Sequence, residues 1–208
     1  MDNYPLPMER LCDKIGYTFC DISLLETALT HSSYANETRV KGIDTPFNER
    51  LEFLGDSVLS IIVSDYLYRS YPNLPEGDLT RIRASAVCEK TLGIIAKGLD
   101  LGSYLRLGHG EATRGGRERV SILADAFEAI LAAIYLDSGS KETVAKFLLP
   151  LVTPEINGFI EKGENRDYKT LLQQIVQQEK GEILEYVPIE ESGPAHDKRF
   201  TVEAHLNS

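Results

Sequence analysis

The stretch Ser121-Ile122-Leu123-Ala124-Asp125-Ala126-Phe127-Glu128-Ala129-Ile130-Leu131-Ala132-Ala133-Ile134-Tyr135-Leu136-Asp137 decides how this 208-residue chain is read. From Ile122 to Leu136 its only charges are Asp125 and Glu128. A helix that is apolar on every side is normally surrounded by protein. Carboxylates three apart on it share one face, and burying them without a cation is very costly. No Lys or Arg lies in the span to neutralise them. Leu123, Phe127, Ile130 and Ile134 form the expected core stripe. Ser121, Ala129 and Ala132 are small and leave room around the acids for another backbone.

A second stretch, Asn48-Glu49-Arg50-Leu51-Glu52-Phe53-Leu54-Gly55-Asp56-Ser57-Val58-Leu59, repeats the theme. Glu52 and Asp56 are four apart, and a helical wheel places Glu49 in the same arc. Leu51, Leu54, Val58, Ile61 and Ile62 take the opposite, core-facing arc. Phe53 falls beside the acids, where a large aromatic suggests a protein interface. Solvated acidic faces are common, and that reading suffices for Glu49, Glu52 and Asp56 alone. It fails for the second helix, which has no other polar face. A divalent metal is the simplest missing cation. An all-carboxylate site is a hard-oxygen site suited to Mg2+, with Mn2+ as a substitute. A di-iron bundle wants Glu-x-x-His on facing helices, but Leu131 follows Glu128 at that spacing and no His is near either pair in sequence. Carboxylates with no redox ligand suit phosphoryl chemistry, in which a metal activates water and stabilises charge at phosphorus.

Outward from these stretches, residues from about 5 to 155 form a run of helices with no strand-like alternation, hence an all-α unit. Leu24, Leu25, Ala28 and Leu29 form a helical stripe after Asp21 as N-cap. A loop is expected over Glu37 to Pro46. Helices are expected over Glu49 to about Tyr71, Glu76 to Val87, Glu89 to Lys97 and Lys141 to Leu149, the last stopped by Pro150. The glycine-rich span Leu101 to Arg119 is expected to be a loop. Residues 158–166 look like a linker. Asp167 to Gln178 has the pattern of an amphipathic helix. Ile183 to Glu190 and Arg199 to Leu206 alternate as strands around Gly193-Pro194.

The net charge of -10 argues against nonspecific nucleic-acid binding through the overall field, without excluding local basic patches. No apolar run is long enough to cross a bilayer, and no secretory signal is visible, so no membrane partner is expected. Cys12, Cys20 and Cys88 follow no zinc spacing; they are expected as small core residues in a reducing cytoplasm.

Asn48 to Ser57 resembles the signature of the ribonuclease III family at every position. Leu29-Thr30-His31-Ser32-Ser33-Tyr34, Glu76-Gly77-Asp78-Leu79-Thr80-Arg81-Ile82-Arg83 and Gly108 to Gly116 followed by Ser121 to Ala129 extend the likeness in order. The resemblance implies a homodimeric, magnesium-dependent endonuclease for double-stranded RNA, with no small-molecule cofactor. It implies products with 5′-phosphates, 3′-hydroxyls and short 3′ overhangs, from ribosomal RNA precursors and structured messenger RNAs. Glu52, Asp56, Asp125 and Glu128 align with the family's metal-binding acids, and Asp56 and Glu128 with its catalytic pair. Glu49 and Glu76 align with secondary acids, Glu76 with one that reaches toward the partner subunit's site. Phe53 aligns with the aromatic knob of the dimer interface. His31 suits a packed or capping role better than that of a base, since the metal already activates water. In the glycine-rich span Arg106, Arg114, Arg117 and Arg119 outnumber Glu111 and Glu118, and the loop is equally well read as phosphate-contacting or merely solvated.

The remaining residues resemble the start of a double-stranded RNA-binding domain. Thr170, Gln173 and Gln174 match its first, minor-groove-reading helix, and Gly193-Pro194-Ala195-His196 matches its hairpin loop, with His196 as an RNA contact. The last strand and the Lys-rich second helix are absent, so this domain is expected to be partial. From Glu164 onward nine acids face five basic residues, so weak RNA affinity is expected of it. The domain plan is therefore 1–157 for the endonuclease, 158–166 for the linker and 167–208 for the partial RNA-binding domain. The alternatives are a double-stranded RNA-binding protein that does not cut and an inactive truncated product. The presence of all four acids favours the enzyme.

Overall fold

The computed structural model describes residues 5–162, 172, 176, 183–193 and 198–207. The chain divides into two compact units, Met1–Lys162 and Gly163–Ser208.

In the first unit nine helices follow in order among the described residues: α1 Met8–Ile15, α2 Ile22–Ala28, α3 Ser32–Val40, α4 Glu49–Ser70, α5 Glu76–Ala86, α6 Glu89–Gly98, α7 His109–Thr113, α8 Val120–Ser138 and α9 Lys141–Lys162. The apolar stretch is α8, the centre of the core. Eleven of its residues are buried, including the whole stripe Leu123, Phe127, Ile130 and Ile134. It packs chiefly against α4, α6, α2 and α9. Burial of such side chains is worth about 1.5–3 kcal/mol each, which is why the most apolar helix takes the central place. No helix among the described residues is long and apolar enough to cross a membrane.

The C-terminal end of α8 is held twice. Gly139 closes it in the left-handed conformation (φ 63°) and donates its N–H to the Tyr135 carbonyl at 2.8 Å. Asp137 accepts three hydrogen bonds from the turn before α2: Tyr17 Oη at 2.7 Å, the Cys20 N–H at 2.8 Å and the Asp21 N–H at 2.7 Å. Burial pushes the Asp137 carboxyl up, but these donors hold it below its ordinary range.

Several expected elements are redrawn. Asp21 does cap α2, accepting from the Ser23 N–H at 3.0 Å. The expected loop over Glu37 to Pro46 begins later, because α3 runs to Val40. The glycine-rich span is built as two 3-10 turns, Leu101–Ser103 and Gly116–Glu118, around the short α7. Pro150 does not stop α9, which continues through Pro154 to Lys162 and so takes in residues 158–162, the expected start of the linker. Val144, Leu148, Val152 and Ile156 lie buried at four-residue spacing, while Pro150 and Pro154 are exposed on the other side. Each proline costs about 3 kcal/mol inside a helix, but the carbonyls it frees here face water, and four buried aliphatic side chains offset the cost. Of the α4 stripe, Leu51, Val58 and Ile62 are buried and Leu54 is half-buried, but Ile61 is 53% exposed. The cysteines are free, and Cys20 and Cys88 are exposed rather than core residues, each beside a helix start where the chain is at the surface.

In the second unit, β1 Leu184–Ser192 pairs antiparallel with β2 Arg199–Leu206, from Leu184 opposite Leu206 to Ser192 opposite Arg199. The register shifts between Pro188 and Glu190, where a proline has no N–H for the ladder. Gly193, at φ 93°, leads out of β1. The helix expected over Asp167 to Gln178, with Thr170, Gln173 and Gln174, lies outside the described residues except for helical Leu172 and Val176, as does His196.

Candidate active site

The acids of α4 and α8 meet because of one missing side chain. Gly55 sits between Glu52 and Asp56, and its backbone touches α8 at Glu128. A Cβ at Gly55 would overlap the Glu128 carbonyl oxygen and lie 2.5 Å from its carbon and 3.1 Å from Cα. Only glycine allows the two helices this close. At that separation, carboxylate oxygens of Glu52, Asp125 and Glu128 all lie within 4.8 Å of one another. The three are half-buried rather than sealed. Asp56 and Glu49 are exposed on the same side of α4 and stand outside this trio. Glu76, at the start of α5, is not brought to the cluster. It accepts the Thr80 hydroxyl at 2.8 Å and lines a cavity of about 250 Å³ with Ser64, Leu67, Tyr68, Leu79 and Arg83.

The carboxylates repel one another. Burial, then Asp56, Glu52 and Asp125, push Glu128 up to about 7. Burial raises Glu52, with Asp125 and Glu49 adding to it. Asp125 is raised by burial and Glu89, an effect that His31 opposes and Glu49 reinforces. Among the described residues no Lys or Arg pairs with any of these acids. Three carboxyls whose proton affinity is raised by burial and by one another form a site that a cation would relieve. The donor set is oxygen only, as a hard divalent ion requires. The three carboxylates would be the residues to hold such an ion.

Glu89 and His31 were not expected near the acids. No spacing marks Glu89, which opens α6 after Cys88. His31 does cap a helix, as expected: it is the N-cap of α3, and its Nδ1 accepts the Ser33 N–H.

Phe53 is 80% exposed, as its place on the wheel required, and Ile61 and Tyr68 (74% exposed) continue the same face of α4. Three of the four arginines in the glycine-rich span are engaged within the fold. Arg106 pairs with Glu26 and covers the Tyr34 ring, Arg117 donates to the Gly102 and Leu105 carbonyls, and Arg119 pairs with Glu111 at 2.7 Å. Arg114 is exposed and forms no ion pair among the described residues.

Residues 21–154 match the family model described as Ribonuclease-III-like. The chain belongs to the ribonuclease III family. Residues 168–208 match the double-stranded RNA binding motif. Ribonuclease 3 of Pelotomaculum thermopropionicum is 51% identical over 194 residues, covering 92% of this chain and 78% of the relative. Ribonuclease 3 of Listeria innocua is 44% identical over 199 residues, covering 96% and 85%. The solved nuclease domain of ribonuclease III from Campylobacter jejuni superposes with a TM-score of 0.64 at 40% identity, covering 70% of this chain and 96% of that one. The helical unit is thus a ribonuclease III nuclease domain, the chain is an endoribonuclease for double-stranded RNA, and the hairpin unit belongs to a double-stranded RNA-binding motif.

Proposed function

We propose that this ribonuclease III is a magnesium-dependent, homodimeric endonuclease. On this reading it leaves 5′-phosphates, 3′-hydroxyls and short 3′ overhangs, and it processes ribosomal RNA precursors and structured messenger RNAs in the cytoplasm. The observation that carries this reading is the unpaired carboxylate trio of Glu52, Asp125 and Glu128 beside Asp56. These four residues would hold the metal, with Mn2+ as a substitute. A divalent ion bound there supplies activation of water and neutralisation of charge at phosphorus. The chain's own part is electrostatic. Glu128, flanked by three acids, holds its proton up to about pH 7, so a cation arriving among these carboxylates favours its ionised form. Asp56 is exposed and next to Glu128, where it can face the RNA strand. Glu49 stands behind as a further negative charge.

The homodimer would form through the exposed face of Phe53, Ile61 and Tyr68, with Glu76 and the cavity beside Tyr68 and Arg83 next to it. A buried aromatic anchor at the centre of an interface is the usual source of binding energy. The solved Campylobacter jejuni nuclease domain is described as having a region involved in dimer formation, which supports a dimer for this chain. In the second unit Thr170, Gln173, Gln174 and His196 would contact RNA.

The test is cleavage of a long RNA duplex by the purified chain in low-salt buffer with Mg2+, Mn2+ or Ca2+, followed by mapping of the ends. Short duplexes with 5′-phosphates in Mg2+ and Mn2+, absent in Ca2+ and with Glu128→Gln, are expected. Metal-independent cutting, or normal rates with Glu128→Gln, would sink the assignment.

A further inference from the structure

His31 lies between the acid cluster and the glycine-rich span. Its N–H donates to the Arg106 carbonyl at 3.0 Å, and the Thr30 carbonyl accepts the Asn48 N–H at 2.9 Å. The second bond docks residues 30–31 against the first turn of α4, which carries Glu49 and Glu52. The ring is half-buried and within electrostatic range of the Asp125 carboxyl.

The proton on the ring can be located. The Ser33 N–H points at Nδ1 from 3.2 Å, and a backbone N–H can only donate. Ser33 Oγ, 2.8 Å from Nδ1, accepts the Gly108 N–H at 3.0 Å and so has its own proton to give to Nδ1. Nδ1 is therefore an acceptor and Nε2 carries the hydrogen. Neither nitrogen then offers a lone pair, so the ring is neither a metal ligand nor a general base. It can only donate, and no acceptor among the described residues takes the Nε2–H.

We infer that His31 donates its Nε2–H to an anionic oxygen of the RNA backbone at the cut. Ser33 fixes the ring, and Gly108, the residue that opens α7, fixes Ser33. The inference rests on the proposed cleavage of duplex RNA, because the substrate's phosphates are the acceptors that would enter this acid-lined cleft. It gives the RNA a donor beside a cluster of carboxylates.

The test compares wild type, His31→Asn and Ser33→Ala in three measurements. These are duplex RNA binding in Ca2+, cleavage in Mg2+, and the rise in Tm that Mg2+ produces. Asparagine keeps an oxygen to cap α3 and loses the Nε2–H. A hydrogen bond to a charged oxygen predicts roughly tenfold weaker binding and slower cutting for His31→Asn, with the Mg2+ effect on Tm unchanged. Ser33→Ala leaves His31 in place and should move binding and cutting the same way by less, so it carries the test if His31→Asn folds poorly. Wild-type binding and cutting in both variants overturn the inference alone. Loss of the Mg2+ effect in His31→Asn also overturns it, by making the residue part of the metal site. A wild-type chain that neither binds nor cuts duplex RNA overturns the nuclease reading and this inference together.

Discussion

Gly55→Ala is the sharpest probe of how the site is built. Considered within α4 alone, the substitution should stabilise the helix by up to about 1 kcal/mol, since alanine is the better helix former. The contact with α8 reverses the sign. The added Cβ would stand 2.5 Å from the Glu128 carbonyl carbon, where ordinary carbon contacts are about 3.5–4.0 Å. Neither partner is a flexible side chain, so the helices must part by roughly 1 Å. Overpacking of this kind costs about 1–3 kcal/mol, leaving a net loss of up to about 2 kcal/mol after the full gain in propensity. For a domain of this size that is a fall in Tm of several degrees, at roughly 2–4 °C per kcal/mol. The carboxylate trio opens with the helices, and a misplacement of about 1 Å at a catalytic site costs on the order of 100-fold in rate. Thermal unfolding with and without Mg2+, and duplex cleavage at several Mg2+ concentrations, measure both effects. A raised Tm with undiminished cleavage would refute the claim that the close approach assembles the site.

Three further outcomes are expected. Glu128 has its pKa raised to about 7 in the fold, with Glu52 and Asp125 also raised, so these three carboxyls favour the metal-free fold most in acid, and the share of Glu128 is lost as pH rises from the ordinary carboxylate range through about 7. The rise in Tm produced by Mg2+ should therefore be larger at about pH 8 than at about pH 6, where protons compete for the same oxygens; a larger rise at the lower pH would contradict the site. Phe53→Asp should convert the proposed dimer to monomer in sedimentation at micromolar concentration, given the roughly 2 kcal/mol or more that a buried aromatic anchor typically supplies, and a dimer that survives the substitution would exclude this face. Asp137→Ala removes the acceptor of three hydrogen bonds and should cost about 2 kcal/mol or more, with the loss smaller in acid because the Asp137 carboxyl is held below its ordinary range and its contribution fades as it protonates. A Tm equal to wild type at neutral pH would show that tie to be idle.

The parts of this molecule that sequence reveals are those where one local rule acts alone. The uniform apolarity of Ile122 to Leu136 leaves α8 no place but the centre, and the placing of Phe53 among acids leaves it no place but the surface. Where two rules compete, the sequence does not say which wins. Pro150 should end a helix, yet the spacing of Val144, Leu148, Val152 and Ile156 carries α9 past it, because the proline falls on the wet side. Ile61 belongs to the core arc by angle, but it shares an exposed face with Phe53 and Tyr68. The acids of the site were legible in pairs, from spacing within each helix. Their meeting depends on Gly55 facing the Glu128 backbone, a contact across more than seventy positions of chain that no local pattern carries. Glu89 and His31 come to Asp125 in the same way, through tertiary docking.

Before the chain folds, α8 has a different character. Ile122 to Leu136 is then a long, exposed, sticky segment, with Asp125 and Glu128 its only gatekeepers against self-association. The two acids proposed to hold the metal would thus also oppose aggregation of the nascent chain. A doubly substituted Asp125→Ala, Glu128→Ala protein would lose both services at once, and its inactivity would be confounded with poor yield. Asparagine and glutamine at these positions remove the charge but keep the segment polar, and so separate failure of chemistry from failure to reach the folded state.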